Sequence, residues 1–118
     1  MALARLTDAP ALERALAAPR MLLFKHSTRC PVSAAAFEEL QAFAASRPDV
    51  PSAYVDVIDE RAVSQALAAA TGVRHESPQA LWIVGGTVRW HASHGRITRA
   101  ALAAAVGGAA PASGEKRS

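Results

Sequence analysis

The stretch "RMLLFKHSTRCPVSAAAFEEL", Arg20 to Leu40, decides the fold, because an extended apolar run gives way there to a helix at Cys30, the only cysteine in the chain. Arg20 to Ser27 is apolar but too brief for a stable helix, so it reads as a buried strand. From Pro31 onward Val32, Ala36, Phe37, Leu40 and Phe43 recur at helical spacing, with Glu38, Glu39 and Gln41 on the other side. Pro48 and Pro51 end that helix. Two readings of Cys30 stand side by side. A lone cysteine is commonly a small buried hydrophobe. A cysteine at a helix N-terminus is instead favoured as thiolate by unpaired backbone N–H groups. Cys30 takes the cap position; Pro31, lacking an N–H and pre-set at helical φ, suits the first helical position; Val32 and Ser33 offer their N–H groups toward the sulfur. Arg29 adds a fixed positive charge next door. Position alone leaves both readings open.

Outward from this stretch, Thr7 or Asp8 is suited to cap a short helix with Pro10 in its first turn, in which Leu12, Ala15 and Leu16 share a face until Pro19. "SAYVDVID", Ser52 to Asp59, sets Tyr54 and Asp56 against Val55 and Val57 as a strand does. "ERAVSQALAAATG" puts Val63, Ala66, Leu67 and Ala70 on one helical face, with Gly72 as its stop. Gln79 to Val84 and Thr87 to Ala92 read as strands joined by Gly85-Gly86, a two-residue hairpin signal. "TRAALAAAV" is a final helix. Residues 1–106 are expected to form one domain, and the tail "GGAAPASGEKRS", residues 107–118, to be disordered for want of anything to bury. A strand-helix-strand opening implies a parallel pair with a right-handed crossover, and the closing hairpin adds antiparallel strands. The expected fold is therefore α/β: a central four-stranded mixed sheet flanked by helices, with an extra N-terminal helix, in the thioredoxin-like pattern.

A chain of 118 residues suits one domain, and its 51% hydrophobic content is enough for a core. The net charge is +3, and Arg5, Arg14, Arg20, Arg47, Arg61, Arg89 and Arg99 are scattered among acids. Nucleic-acid binding is therefore not expected, since it needs basic residues clustered with exposed aromatics. One cysteine forms no internal disulfide. Asp8, Pro10, Glu13 and Pro19 interrupt any signal-like stretch, and no span approaches a membrane helix, so a cytoplasmic protein is expected. His26, His75, His91 and His94 lack the convergent spacing of a metal site, and none is expected. His26, close to Cys30 in sequence, is a candidate to tune it.

The second local signal is Pro78 in "HESPQALWIV". Proline cannot donate within a central strand, so it sits at the strand's start, either as an ordinary loop proline or in the cis isomer of a tight turn. With these residues in view, "STRCPVS" resembles the Cys-Pro-x-Cys site of glutaredoxins with Ser33 replacing the second cysteine. "GVRHESPQALWIVGGTVRW…HGRIT" is similar to the half of thioredoxins that runs from the cis-proline to the final helix. The combination "KHSTRCPVS…ESPQ…G", from about Leu6 to Val106, resembles the YtxJ-like family, the monothiol bacilliredoxins of the bacillithiol system.

That resemblance implies a monothiol exchange enzyme with no bound cofactor and with bacillithiol as cosubstrate. Cys30 would attack the bacillithiol sulfur of an S-bacillithiolated client protein and be left carrying bacillithiol. A monothiol enzyme must then wait for an external thiol: free bacillithiol, itself kept reduced by a flavin-dependent reductase. Arg29, Pro31, Ser33, Ser77 and Pro78 are the implied substrate-binding residues. Ser33 would offer its hydroxyl to the sulfur, Ser77 its backbone to the extended substrate, and Arg29, with Arg74 and His75, a positive rim for the carboxylates of bacillithiol. A monomer is expected. Two alternatives are a redox-inactive thioredoxin-like binding module and an iron–sulfur carrier resembling monothiol glutaredoxins. The carriers have Cys-Gly-Phe-Ser at this site, where this chain has Pro31 and Val32.

Overall fold

A computed structural model describes residues 3–107, in the order β1 (Ala4–Arg5), α1 (Ala9–Ala17), β2 (Arg20–His26), α2 (Pro31–Ser46), β3 (Ser52–Asp56), α3 (Arg61–Thr71), β4 (Gln79–Val84), β5 (Thr87–Ser93), a 3₁₀ turn (His94–Arg96) and α4 (Arg99–Val106). Of the tail expected to be disordered, residues 108–118 lie outside the described residues.

The sheet runs β1-β3-β2-β4-β5. The central β2 pairs parallel with β3 and antiparallel with β4, and β5 completes the hairpin. Among the described residues the sheet therefore has five strands rather than the four expected. The extra one is two exposed residues, too short to show any periodicity. It is held by pairing with Ala53 and Tyr54 and by the Leu6 N–H donating to the Tyr54 carbonyl at 2.9 Å. The Arg5 guanidinium adds contacts to Glu60 at 2.6 Å and Asp59 at 3.4 Å.

Helices cover both faces. Leu22, Phe24 and Trp82 pack with Leu40 and Phe43 of α2 and Leu102 of α4 on one face. Leu23, Val55, Leu81 and Ile83 pack with Leu12 of α1 and Val63 and Leu67 of α3 on the other. Burial on both faces is why β2 and β4 read as continuous apolar runs rather than alternating ones. Asp8, not Thr7, caps α1, its Oδ1 accepting from the Ala11 N–H at 2.9 Å. Gly72 ends α3 at φ 72°, a left-handed position where glycine carries no Cβ penalty.

Two local expectations change. Strand β3 stops at Asp56 rather than Asp59, because the Asp56 carboxylate accepts from the Ile58 and Asp59 N–H groups at 2.9 and 3.2 Å and turns the chain. Val32 is 46% exposed. The inner stripe of α2 is Ser33, Ala36, Leu40, Phe43 and Ala44, and a residue one position off such a stripe is rotated about 100° from it. Among the described residues no helix is long and apolar enough to cross a membrane.

Candidate thiol site

Cys30 caps α2 in an extended conformation, φ −115° and ψ 119°, with Pro31 at the start of the helix. Its N–H donates to the Ser27 carbonyl at 3.2 Å, and its own carbonyl accepts the first helical bond from Ala34 at 3.0 Å. The thiol is half-buried. Its sulfur accepts no capping bond, so the amides of Val32 and Ser33 act on it only as the positive end of the helix and not as hydrogen-bond donors. Arg29 is exposed beside it, with no carboxylate paired to it among the described residues.

Ser33 is fully buried and turned away from the role expected of it. Its Oγ accepts from the Ser27 N–H at 2.8 Å and lies 2.8 Å from His26 Nδ1. The hydroxyl therefore ties the Cys30 loop to the end of β2 and makes no bond to sulfur. The His26 ring stacks on Phe37, with centroids 4.4 Å apart and planes within 12°, and Phe37 meets Tyr54 edge-on at 5.1 Å. Burial lowers the His26 pKa, with the Asp56 carboxylate opposing it. Burial thus disfavours the charged imidazole beside the Ser33 hydroxyl.

The Ser77–Pro78 bond is cis. Gln79 pairs with Lys25 across β2 and β4, so Ser77 and Pro78 emerge beside the end of β2. The Pro78 carbonyl accepts from the His94 N–H at 3.0 Å. Ser77 Oγ is buried without a hydrogen-bond partner among the described residues. From the other flank the Val57 N–H donates to the His26 carbonyl at 2.9 Å. The segments that follow β2 and β3 and the one that precedes β4 therefore share one end of the sheet.

Sequence reasoning missed Lys25. It is fully buried, and its Nζ lies 3.1 Å from His75 Nδ1 with no carboxylate paired to it among the described residues. Burial pulls its pKa down to about 8. His75 is lowered too, first by desolvation and then by the Lys25 and Arg61 charges. The available signal was a lysine directly after the apolar run Met21 to Phe24 of a buried strand. Arg74 is exposed, and its carbonyl accepts from Gln79 Nε2 at 3.0 Å. Among the described residues no three of His, Cys, Asp or Glu converge in a way that could hold a metal ion.

A thioredoxin-fold sheet, a half-buried thiol capping the helix after its central strand and a cis-proline beside that strand define a thiol-redox protein with a single thiol. The family described as monothiol bacilliredoxin BrxC matches residues 3–102. The chain belongs to that family. A solved thioredoxin-fold protein, assigned provisionally to the oxidoreductases, is 34% identical with a TM-score of 0.83, over 89% of this chain and 94% of its own. Mitochondrial thioredoxin 3 of Saccharomyces cerevisiae (14% identity, TM-score 0.67, 85% of this chain and 89% of that one) and the thioredoxin of Malassezia sympodialis (13%, 0.71, 89% and 88%) share the fold.

Proposed function

We propose that Cys30 removes bacillithiol from S-bacillithiolated proteins by monothiol exchange in the cytoplasm, acting as a monomer. The Cys30 thiolate attacks the bacillithiol sulfur of the mixed disulfide. A Cys30–bacillithiol bond forms, the client's disulfide bond breaks, and the client leaves as a thiolate that takes a proton from water. A second bacillithiol then attacks the bacillithiol sulfur on Cys30, leaving as bacillithiol disulfide and restoring the thiolate. Both steps are disulfide exchanges and need no bound cofactor.

The observation that carries this reading is a chain of the bacilliredoxin family with one thiol at the helix start and Ser33 where a resolving cysteine would stand. Ser33 contributes by fixing the loop through Ser27 and His26. Pro31 sets the helix start, Arg29 offers an exposed cation, and Ser77 and Pro78 border the path of the substrate.

Intact mass spectrometry tests the reading. Mixed with a bacillithiolated protein, the wild type accumulates a one-to-one bacillithiol adduct on Cys30, which added bacillithiol clears. Ser33→Cys puts a second sulfur one helical turn away, so it expels the bound thiol and forms an internal disulfide. Equal rates with glutathione and bacillithiol would remove the bacillithiol assignment and leave monothiol exchange standing. No adduct with either, and no effect of Cys30→Ser, would leave a redox-inactive binding module.

A further inference from the structure

At the same end of the sheet as Cys30 lies a cleft of about 390 Å3 lined by Val57, Ile58, Arg61, Ser64, Gln65 and His75. Its polar side chains are the donor Arg61 and the donor-acceptor groups Ser64, Gln65 and His75. Ser64 is 2% exposed, and its hydroxyl has no hydrogen-bond partner among the described residues. A buried hydroxyl left unpaired calls for a ligand or a water to complete it. Arg61 is exposed at the first turn of α3 and paired with no carboxylate among the described residues. Its acidic chain neighbours are engaged elsewhere: Asp59 and Glu60 turn to Arg5, and Glu60 also accepts from the Asp56 N–H. Behind the His75 wall stands the buried Lys25 ammonium, 3.1 Å from the ring. Among the described residues Glu76 is the carboxylate that acts on His75.

The cleft also adjoins the exchange path. Val57, on its wall, is hydrogen-bonded to His26 at the end of β2, and His75 lies three residues before Pro78. Resting on the function proposed above, we infer that this cleft seats the malyl carboxylates of the bacillithiol carried on Cys30. Arg61 and the Ser64 hydroxyl donate to the carboxylate oxygens, and the positive charge of Lys25 reaches them through His75. The apolar wall of Val57 and Ile58 takes the carbon skeleton. Arg61 is the positioning group, and a guanidinium forms paired bonds to a carboxylate that no neutral group reproduces.

The test compares three disulfides: bacillithiol disulfide, its cysteinyl-glucosamine counterpart without the malyl group, and hydroxyethyl disulfide, with adduct formation at Cys30 followed by stopped-flow and mass. The wild type reacts with the malyl-bearing disulfide about tenfold to a hundredfold faster than with its malyl-free counterpart, the range for losing a charge-assisted hydrogen bond. Arg61→Ala abolishes that preference and Ser64→Ala reduces it, while both react with hydroxyethyl disulfide at the wild-type rate. A wild type without the preference overturns the cleft assignment and leaves bacillithiol exchange intact. A preference that survives in both variants also overturns it, since the carboxylates are then read elsewhere. A wild type that reacts with hydroxyethyl disulfide and with neither bacillithiol form removes the proposed function and the cleft together.

Discussion

Replacing Lys25 with methionine is expected to stabilise the fold at neutral pH. Lys25 is fully buried, and its pKa falls from 10.5 to about 8 because burial disfavours the ammonium. Each pH unit of such a shift corresponds to about 1.4 kcal/mol, so the fold carries a penalty of about 3 kcal/mol wherever Lys25 is protonated in both states. Above pH 8 the native amine has lost its proton while the unfolded chain keeps one up to pH 10.5. The unfolded state then binds more protons, and stability rises with pH across that window and is level on either side of it. Methionine has similar length and no charge. Its gain is offset by about 1 kcal/mol for the lost contact with His75, leaving a net stabilisation of about 2 kcal/mol at pH 7. Urea unfolding of both proteins at pH 7, 9 and 10.5 measures this, and the titrations they share cancel in the difference. The advantage of Lys25→Met should shrink to nothing, or reverse slightly, by pH 10.5. A variant that is less stable at pH 7, with the same pH dependence as the wild type, would refute the reasoning, because it would mean that the ammonium is fully compensated in the fold.

Three further outcomes follow from the packing. Ser33→Ala strands the Ser27 N–H and His26 Nδ1, and loses about 2 kcal/mol in urea unfolding, within the range for unpaired buried partners. The His26 pKa lies below its ordinary 6.5, so as pH falls through that value the unfolded chain gains a proton that the fold refuses, and stability drops. His26→Phe, whatever its absolute stability, makes the urea midpoint fall less steeply between pH 6.5 and 5, the remaining slope including that of His75. Leu81→Ala opens the fully buried core between β4 and α3 and costs about 2–5 kcal/mol, measured by thermal unfolding.

What could be read from the sequence was what local chemistry governs. Proline after Cys30 marks a helix start wherever the chain goes next, Gly85-Gly86 marks a hairpin, and apolar runs mark strands covered on both faces. Strand β1 escapes because it has no pattern of its own and forms by pairing with Ala53 and Tyr54, far along the chain. The same holds at the site. Cys30 and Pro78 announce themselves through neighbours in sequence, whereas Lys25 meets His75 at a separation of 50 residues. The family resemblance points the Ser33 hydroxyl at the sulfur, in place of a resolving cysteine. Its burial, which depends on which side of α2 faces the sheet, sends its hydroxyl to His26 instead.

Strand β2 has hydrogen-bonded neighbours along both edges, and three residues separate its last residue, His26, from the thiol. Amides at the centre of such a sheet exchange with solvent only when the whole domain opens, whereas those of a half-exposed loop exchange by local fluctuation. The chain therefore passes within a few residues from its slowest-exchanging backbone to a segment free to admit a reagent. Loading Cys30 with a small thiol should alter deuterium uptake around 27–32, 57–61 and 73–78 and leave Leu22 to Lys25 unchanged, so that the charged and uncharged forms of the protein share one rigid floor.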